Sequence, residues 1–397
     1  MKRLFITLII IFIALSISGC KSSCGNEFTT PLDTLNTYGY FRQDFYGYLD
    51  TNSVIMIEYI KDKTNETEIK KDLQGIHQIL LDIETEYSSS VTSFMEDKNI
   101  KQSTVMKVNA NSGISPTVVS SEFIVTLKEA IKIAQMTSGG YDPTIGVLTS
   151  AWDISKRSEY CNAMFSSDCK IPTSVEIENL KSLVNYKDIL IDEVNNTVFL
   201  KNKGMKLDFG SIAKGLAADK IMNYLKSDNY TYISVNLGGN VITHGKAYLY
   251  NELTTTADIV PVGIENPFTN KFNQNTVLKV VESNITVVAS GVSKRYIEVW
   301  DDDKKEYVKY HHILNPFTGY PYDNEIETIT IIGNTSMIAD GMSTGMFSLG
   351  LDNAISVLKT NNIKGIIITK DYKIYIVGNI NYELTDKVEQ FYTIIKK

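Results

Sequence analysis

The chain has 397 residues, of which 43% are hydrophobic and 21% are charged, and its net charge at pH 7 is −7. This length and composition suit a globular protein with a sizeable core, and the mild acidity without any basic block excludes nucleic acid as an expected partner. The absence of an internal repeat excludes a solenoid or array.

The N-terminus has the pattern of a secretory signal that ends at a lipid-modified cysteine. Lys2 and Arg3 precede an apolar run over residues 4–15, and small residues then lead to Cys20. A transmembrane anchor is the alternative, but spanning a bilayer needs about 20 apolar residues, and this run is shorter. We therefore predict a signal peptide over residues 1–19 and a lipid on Cys20.

The predicted lipid places the mature protein outside the cytoplasm, anchored to the bacterial cell membrane. Residues 20–45 begin with a polar stretch without apolar periodicity, which indicates a lipidated N-terminus and tether. Residues 46–397 are predicted to form the folded domain.

Hydrophobic periodicity predicts helices and strands that are interleaved along this domain. Apolar residues three and four apart predict helices over residues 69–87 and 123–137, and a Thr173–Glu176 capping box predicts another that runs toward residue 184. Runs typical of strands lie at residues 189–191, 197–200, 232–236, 286–289, 328–332, 365–369 and 373–377. Because no strict βαβ repeat is present, the pattern predicts an α+β fold with mixed or antiparallel sheets.

Two of the four cysteines flank a short polar segment. Cys161 and Cys169 lie in a chain that is predicted to enter an oxidising compartment, which favours a structural disulfide between them. A metal role is less favoured, because no histidine lies near either thiol.

The segment over residues 206–215 is the first that carries chemistry. A strand ending near Leu207 is predicted to turn at Gly210 and to enter a helix over residues 211–225. The first turn of that helix offers N–H groups to an anion, and Lys214 adds a positive charge. An ordinary strand-to-helix turn with a surface lysine is the alternative.

A second such segment lies over residues 336–344. If Ser336 caps a helix, Asp340 and Thr344 stand four residues apart on one face, where a carboxylate and a hydroxyl can share a cation. Such hard oxygen ligands suit Mg²⁺. The alternative is an aspartate that interacts with the helix dipole and needs no metal.

Two further segments offer ring systems. His311 and His312 are adjacent on an extended segment, so at most one of them is expected to enter a site, where it could act as a general base. Gly140 allows close backbone approach, and Tyr141 offers a face on which an aromatic ring could stack. A structural histidine and a plain helix stop are the alternatives.

Taken in order, these segments resemble the flavin transferase (ApbE) family, which attaches FMN from FAD to a threonine of a partner protein. The matching segments are Tyr-Asp-Pro-Thr-Ile-Gly (141–146), Asp-Phe-Gly-Ser-Ile-Ala-Lys-Gly (208–215), Asn-Leu-Gly-Gly (236–239), Ala-Ser-Gly (289–291) with Arg-Tyr (295–296), residues 311–319, and Ala-Asp-Gly-Met-Ser-Thr (339–344). The resemblance covers nearly the whole mature chain. It implies that residues 46–397 form a flavin transferase domain related to the tunnelling fold.

The resemblance also implies roles for individual residues. Mg²⁺ would be held by Asp340, Thr344 and the main-chain carbonyl of Ser211, with Asp340 and His312 acting in catalysis and His312 as the base. The implied contacts with FAD are Tyr46, Tyr87, Gly140, Tyr141, Asp142, Asp208, Lys214, Ser290 and Gly291.

The sequence departs from the family pattern at several positions. Tyr46-Gly-Tyr stands for the usual Met-Gly-Thr, and Ser93 stands for an arginine; both changes concern contacts with the flavin ring. The other departures are Asn315, Phe317 and Asn240.

The implied function is Mg²⁺-dependent transfer of FMN from FAD to a threonine of an acceptor flavoprotein, with release of AMP. One alternative is a metal-dependent FAD pyrophosphatase that gives FMN and AMP. A second alternative is a non-catalytic lipoprotein that binds flavin.

Overall fold

The computed structural model describes residues 37–164, 169–227, 229–248 and 259–397. The predicted signal peptide and Cys20 lie outside these ranges. None of the helices within them is long and apolar enough to cross a membrane.

The helices of the described ranges lie mostly before residue 226 or between residues 336 and 360. They are α1 (Glu66–Tyr87), α2 (Ser93–Asp97), α3 (Thr104–Ala110), α4 (Ser121–Met136), α5 (Gly146–Trp152), α6 (Ile154–Met164), α7 (Ser174–Lys181), α8 (Ala213–Leu225), α9 (Thr269–Phe272), α10 (Ser336–Ser348) and α11 (Leu351–Thr360).

Seventeen strands lie in the same ranges. They are β1 (Tyr38–Tyr46), β2 (Asn52–Ile60), β3 (Thr117–Val118), β4 (Ile189–Asp192), β5 (Thr197–Leu200), β6 (Tyr230–Leu237), β7 (Asn240–Gly245), β8 (Val262–Glu265), β9 (Thr276–Val280), β10 (Thr286–Gly291), β11 (Tyr296–Asp301), β12 (Glu306–His311), β13 (Ile326–Gly333), β14 (Lys364–Thr369), β15 (Lys373–Val377), β16 (Tyr382–Leu384) and β17 (Thr393–Lys396).

A nine-stranded sheet in the order β1-β2-β6-β7-β10-β13-β14-β15-β17 is the centre of the fold. Its neighbouring strands are antiparallel except for the last pair, β15 and β17, which is parallel. Smaller sheets are β16-β9-β8, β3-β5-β4 and the β11-β12 hairpin. The predicted α+β class with mixed or antiparallel sheets is therefore confirmed.

Local sequence explains where the predicted helices begin. The side chain of Asn65 caps α1 in a full capping box, Ser120 caps α4 and Thr173 caps α7. The apolar faces of α1 and α4 are buried, as their periodicity predicts. Helix α7 ends at Lys181, earlier than predicted. Strand β1 begins at Tyr38, within the stretch that the sequence assigns to the tether.

The main core lies between the large sheet and the helices α1, α4, α8 and α10. A second core of mainly β-branched residues joins the sheet to β8 and β9. A third surrounds Trp152 and contains Cys161 and Cys169, which form a disulfide with a Cα–Cα distance of 5.8 Å. The favoured pairing of these two cysteines is therefore confirmed.

Helices α8 and α10 approach each other closely at Gly215. A Cβ added there would overlap with the Ser336 carbonyl oxygen and would lie 2.6 Å from Cα of Met337. Only glycine allows this contact, because the atoms in the way belong to the backbone. The first turns of the two helices are thereby brought together.

We expect Gly215→Ala to lower the free energy of unfolding by about 1–3 kcal/mol, since the helices must separate to make room for the methyl group. The matched control is Gly333→Ala, where the nearest atom to an added Cβ is Cγ2 of Thr286 at 3.9 Å. Urea unfolding of both variants measures the difference. Equal stability of the two variants would contradict the close approach.

Candidate active site

Asp340 joins the segments at residues 206–215 and 336–344. Its Oδ2 accepts a hydrogen bond of 2.9 Å from the Gly215 N–H, and its Oδ1 lies 3.7 Å from Nζ of Lys214. The Asp340 side chain is buried, on the face of α10 that meets the start of α8. Residues more than 120 positions apart thus form one polar site.

The direction of the Gly215 N–H leaves the carbonyl oxygen of Ser211, four residues earlier, without its usual helical donor. In a continuous helix this N–H would donate to the Ser211 carbonyl, but α8 begins only at Ala213 and the N–H is directed to Asp340. The Ser211 carbonyl oxygen is therefore not occupied by that donor. This arrangement fits its predicted role as a main-chain metal ligand.

A group of hydroxyls lies beside this carboxylate. Oγ of Ser290, at the end of β10, lies 2.6 Å from Oγ of Ser343 and 3.1 Å from Oγ1 of Thr344. Ser343 in turn donates to the Asp340 carbonyl oxygen at 2.8 Å. Ser290, predicted as a flavin contact, therefore touches the predicted metal ligand Thr344. Ser343 was missed by sequence reasoning.

These oxygens fit Mg²⁺. A buried carboxylate, a hydroxyl and a main-chain carbonyl are hard ligands of the kind that Mg²⁺ binds together with water and phosphate oxygens. Among the described residues, no group of three or more His, Cys, Asp or Glu could hold a metal. A metal here would thus take its other ligands from hydroxyl, carbonyl, phosphate or water oxygens.

Lys214 and Asp208 shape the turn before α8. Nζ of Lys214 donates to the Gly210 carbonyl at 2.8 Å, which holds its charge over the turn. Asp208 accepts the Gly210 N–H at 2.8 Å with Oδ1 and the Thr149 hydroxyl at 2.6 Å with Oδ2. Both residues therefore lie at the predicted anion site, and their contacts with FAD stay predictions.

Tyr141 and Asp142 are buried beside this turn. The Tyr141 hydroxyl accepts a hydrogen bond of 3.2 Å from Oγ of Ser211. Both oxygens of Asp142 hold the local chain: Oδ1 accepts from the Thr144 N–H and hydroxyl, and Oδ2 from the Tyr186 N–H at 2.9 Å. Burial raises the pKa of Asp142. The Asp142 carboxylate thus has a clear role in the fold, and its contact with FAD stays a prediction.

The remaining predicted flavin contacts differ widely in exposure. Tyr46 is 65% exposed at the end of β1, whereas Tyr87 is 3% exposed and packs against Phe123 and Phe209. The Gly140 carbonyl accepts a hydrogen bond from the Tyr322 hydroxyl at 2.7 Å. Tyr141 reaches the site through its contact with Ser211, and Gly140 precedes it in the chain, whereas Tyr87 lies in the core.

The two adjacent histidines differ in their hydrogen bonds. His311 uses both ring nitrogens within the fold: Nε2 lies 2.8 Å from the Tyr322 carbonyl oxygen, and Nδ1 accepts the Ile313 N–H at 3.2 Å. His312 donates from Nδ1 to the Arg295 carbonyl at 3.2 Å, and its Nε2 has no hydrogen-bond partner among the described residues. The lone pair on Nε2 is therefore available to accept a proton.

Burial, and then the charge of Arg295, lowers the pKa of His312 to about 3; burial likewise lowers the pKa of His311 to about 4. His312 is thus neutral at pH 7, as a base must be, although a higher pKa would suit proton transfer better. Phosphates bound nearby would raise it, because negative charge favours the imidazolium form.

These two shifts predict the pH dependence of stability. An unfolded histidine binds a proton near pH 6.5, whereas the folded ones bind it only near pH 4 and 3. Below pH 6.5 the unfolded state therefore binds more protons, and stability is lost as the pH falls, by roughly 1.4 kcal/mol per pH unit for each histidine. Urea unfolding between pH 7 and 4.5 measures this loss. His312→Asn should reduce its slope, and an unchanged slope in that variant would contradict the assignment.

Asp219 is a residue that sequence reasoning missed. Its carboxylate, on α8, accepts the N–H groups of Ser336 and Met337 at 2.8 and 2.9 Å. The prediction that Ser336 caps α10 is wrong: Ser336 is the first helical residue, and its hydroxyl donates to Asn240. The cap comes instead from another helix, which fixes the start of α10 against α8. In the sequence, the only sign of this role is that Asp219 lies four residues after Gly215, on the same face of α8.

Comparisons with known proteins agree with the predicted resemblance. The model of the ApbE family matches residues 65–367. A Klebsiella pneumoniae protein named FAD:protein FMN transferase is 30% identical over 274 residues, which are 69% of this chain and 77% of that protein. A Haemophilus influenzae protein of the same name is 27% identical over 369 residues, covering 91% and 92% of the two chains.

Solved structures share the fold. The flavin transferase ApbE from Vibrio cholerae superposes with a TM-score of 0.65 at 21% identity, covering 89% of this chain and 99% of that one. The ApbE protein from Thermotoga maritima gives a TM-score of 0.65 at 24% identity, with the same coverage.

Proposed function

The chain belongs to the ApbE family, and from this premise we propose that it is an FAD:protein FMN transferase that attaches FMN to a threonine of an acceptor flavoprotein and releases AMP. The observation that carries the proposal is the contact between the Gly215 N–H and Asp340, with Lys214 beside it. A helix start, a cation and a buried carboxylate in one place suit a pyrophosphate that is bound with a metal.

In the proposed reaction the acceptor threonine oxygen attacks the phosphorus of the FMN half of FAD. A new P–O bond to threonine forms, the P–O bond to AMP breaks, and AMP leaves with the bonding electron pair. The threonine proton passes to Nε2 of His312. The Nδ1–H of His312 remains hydrogen-bonded to the Arg295 carbonyl, which keeps the imidazole in the tautomer that this step needs.

We propose that Asp340, Thr344 and the Ser211 carbonyl hold Mg²⁺. When bound, the ion would offset negative charge on the phosphate oxygens and the leaving group. Lys214 and the N–H groups at the start of α8 act on the same charge. Ser290 holds the Thr344 hydroxyl by a hydrogen bond, and Ser343 in turn holds Ser290.

The products distinguish the proposed transfer from its alternatives. The mature protein is incubated with FAD, Mg²⁺ and a threonine-bearing acceptor domain, and covalent flavin fluorescence, free FMN and AMP are followed together. The proposal predicts labelled acceptor and AMP in equal amounts, and loss of both with EDTA. Free FMN with unlabelled acceptor would instead indicate a pyrophosphatase, and an absence of turnover would indicate a binding protein.

We further propose that a lipid on Cys20 anchors the enzyme to the outer face of the bacterial cell membrane. The signal pattern around Cys20 supports this, and the Cys161–Cys169 disulfide is typical of proteins outside the cytoplasm. Membrane fractionation is the test: Cys20→Ala should move the protein from the membrane fraction to the soluble one or leave it unprocessed. Unchanged processing and membrane binding would refute the anchor.

A further inference from the structure

Residues 47–51, directly after β1, form a turn in a backbone conformation that side chains rarely adopt. Gly47, Leu49 and Asp50 have φ angles of 84°, 54° and 52°. Each non-glycine residue in this region costs about 1–3 kcal/mol, so such a turn persists only where its surroundings hold it.

Two contacts from distant parts of the chain hold this turn. The Leu49 N–H donates to Oε1 of Glu84 on α1 at 2.6 Å, and Nη2 of Arg295 donates to the Asp50 carbonyl at 3.0 Å. Glu84 is buried. Hydrogen bonds to charged side chains are stronger than those between neutral groups, so the two contacts fix two peptide groups of the turn, at residues 48–49 and 50–51.

Arg295 also holds His312, through its main chain. The Arg295 carbonyl oxygen accepts the His312 main-chain N–H at 3.1 Å and its Nδ1–H at 3.2 Å. The guanidinium of Arg295 therefore holds the turn through the Asp50 carbonyl, while the Arg295 carbonyl sets the position and the tautomer of the His312 imidazole. A displacement of residue 295 would move both.

We infer that Arg295 is a positioning residue that couples the turn at residues 47–51 to His312. Nε2 of His312 then faces the acceptor hydroxyl only while the guanidinium holds the Asp50 carbonyl. Tyr46, the exposed residue before the turn, is a predicted flavin contact, so bound flavin would strengthen the same coupling. This inference rests on the proposed function, because the role of His312 as base belongs to it.

An alternative role for the guanidinium is direct binding of the FAD phosphates, and kinetics separates the two. Loss of a group that binds substrate equally in the ground and transition states raises KM with little effect on kcat. Loss of a group that only orients the base lowers kcat and leaves KM for FAD nearly unchanged. A misplacement of about 1 Å is enough to lower a rate by about 100-fold.

The test compares Arg295→Met and Arg295→Lys with the wild-type mature protein. Lys294→Met is the matched control, because it removes the neighbouring charge, which pairs with Glu265 on the surface, and leaves Asp50 untouched. The readouts are kcat, KM for FAD, the amide hydrogen exchange of Leu49, and the ¹⁵N chemical shifts of the His312 ring. The chain has four histidines, so ¹⁵N-histidine labelling with a His312→Gln reference assigns the signal.

We expect Arg295→Met to lower kcat by about 10- to 100-fold with KM for FAD nearly unchanged. Exchange at Leu49 should become faster, and His312 should lose its fixed Nδ1–H tautomer. Arg295→Lys should recover part of each effect, because lysine can still donate to the Asp50 carbonyl, and Lys294→Met should show none. A raised KM with an unchanged His312 tautomer would overturn the inference in favour of phosphate binding.

The tautomer and exchange measurements need no turnover. If the wild-type protein does not transfer FMN, the proposed function fails, while an altered tautomer and faster exchange in Arg295→Met still support the coupling. Wild-type values of both in that variant would overturn the coupling whatever the activity of the protein.

Discussion

Asp340→Asn is expected to lower the rate of FMN transfer by about two to three orders of magnitude, because it removes the charge from the predicted metal ligand. The amide oxygen of asparagine can still accept the Gly215 N–H, so the contact between α8 and α10 survives. The variant should therefore fold and unfold like the wild-type protein. Steady-state transfer across a range of Mg²⁺ concentrations is the measurement.

Asp340→Ala separates the structural part of this role. It leaves the Gly215 N–H without its acceptor, which should cost about 1–3 kcal/mol of stability in addition to the activity. The matched control for Asp340→Asn is Asp352→Asn, because Asp352 is an exposed aspartate in the first turn of α11. Transfer by Asp340→Asn at the wild-type rate with limiting Mg²⁺ would refute the metal assignment.

His312→Gln is expected to lower kcat by about 10²- to 10⁴-fold, because the side-chain amide cannot take the proton of the acceptor threonine. Glutamine can still donate a hydrogen bond, so the loop at Arg295 should be retained. Rates are measured under saturating FAD and acceptor, and urea unfolding is measured alongside them.

His311→Gln provides the comparison for His312. Both ring nitrogens of His311 bond within the fold, so its loss should act mainly on stability. If His311→Gln lowers kcat more than His312→Gln does, at a similar loss in the free energy of unfolding, the base has been assigned to the wrong histidine.

The sequence carries much of the fold class and the identity of the polar segments. Some signals depend only on residues close in sequence, so they can be read without the fold. Examples are the periodicity of α1 and α4 and the caps at Ser120 and Thr173. The strand runs at β5, β13 and β14 are rich in β-branched and apolar residues, and they were recognisable for that reason. The small residues of α10 mark a helix that other elements approach closely.

Contacts between distant segments could not be predicted in the same way. The bond from the Gly215 N–H to Asp340 and the cap of α10 by Asp219 depend on how two helices pack. Nothing within a few residues of either partner encodes them. The motif order of the family indicated that the segments share a site, but the atoms that meet there required the fold.

Residue type alone also gives an incomplete account of role. The resemblance implies that Tyr87 contacts flavin, which stays a prediction; within the fold its ring stacks on Phe123 and its hydroxyl lies 3.1 Å from the Thr126 hydroxyl. Arg295 was noticed only as part of a motif, although it contacts both Asp50 and His312. A side chain in a motif can serve the fold, the chemistry or both, and only its neighbours decide which.

The intact mass of an acceptor domain tests the central claim most directly. After incubation with FAD and Mg²⁺, the mass should rise by one FMN less one water with the wild-type enzyme. Over the same time it should stay nearly unchanged with Asp340→Asn, and it should not change with an acceptor whose threonine is replaced by valine. An acceptor of unchanged mass while the wild-type enzyme consumes FAD would contradict a transferase, and equal labelling by Asp340→Asn would contradict the role of the Asp340 charge in holding the metal.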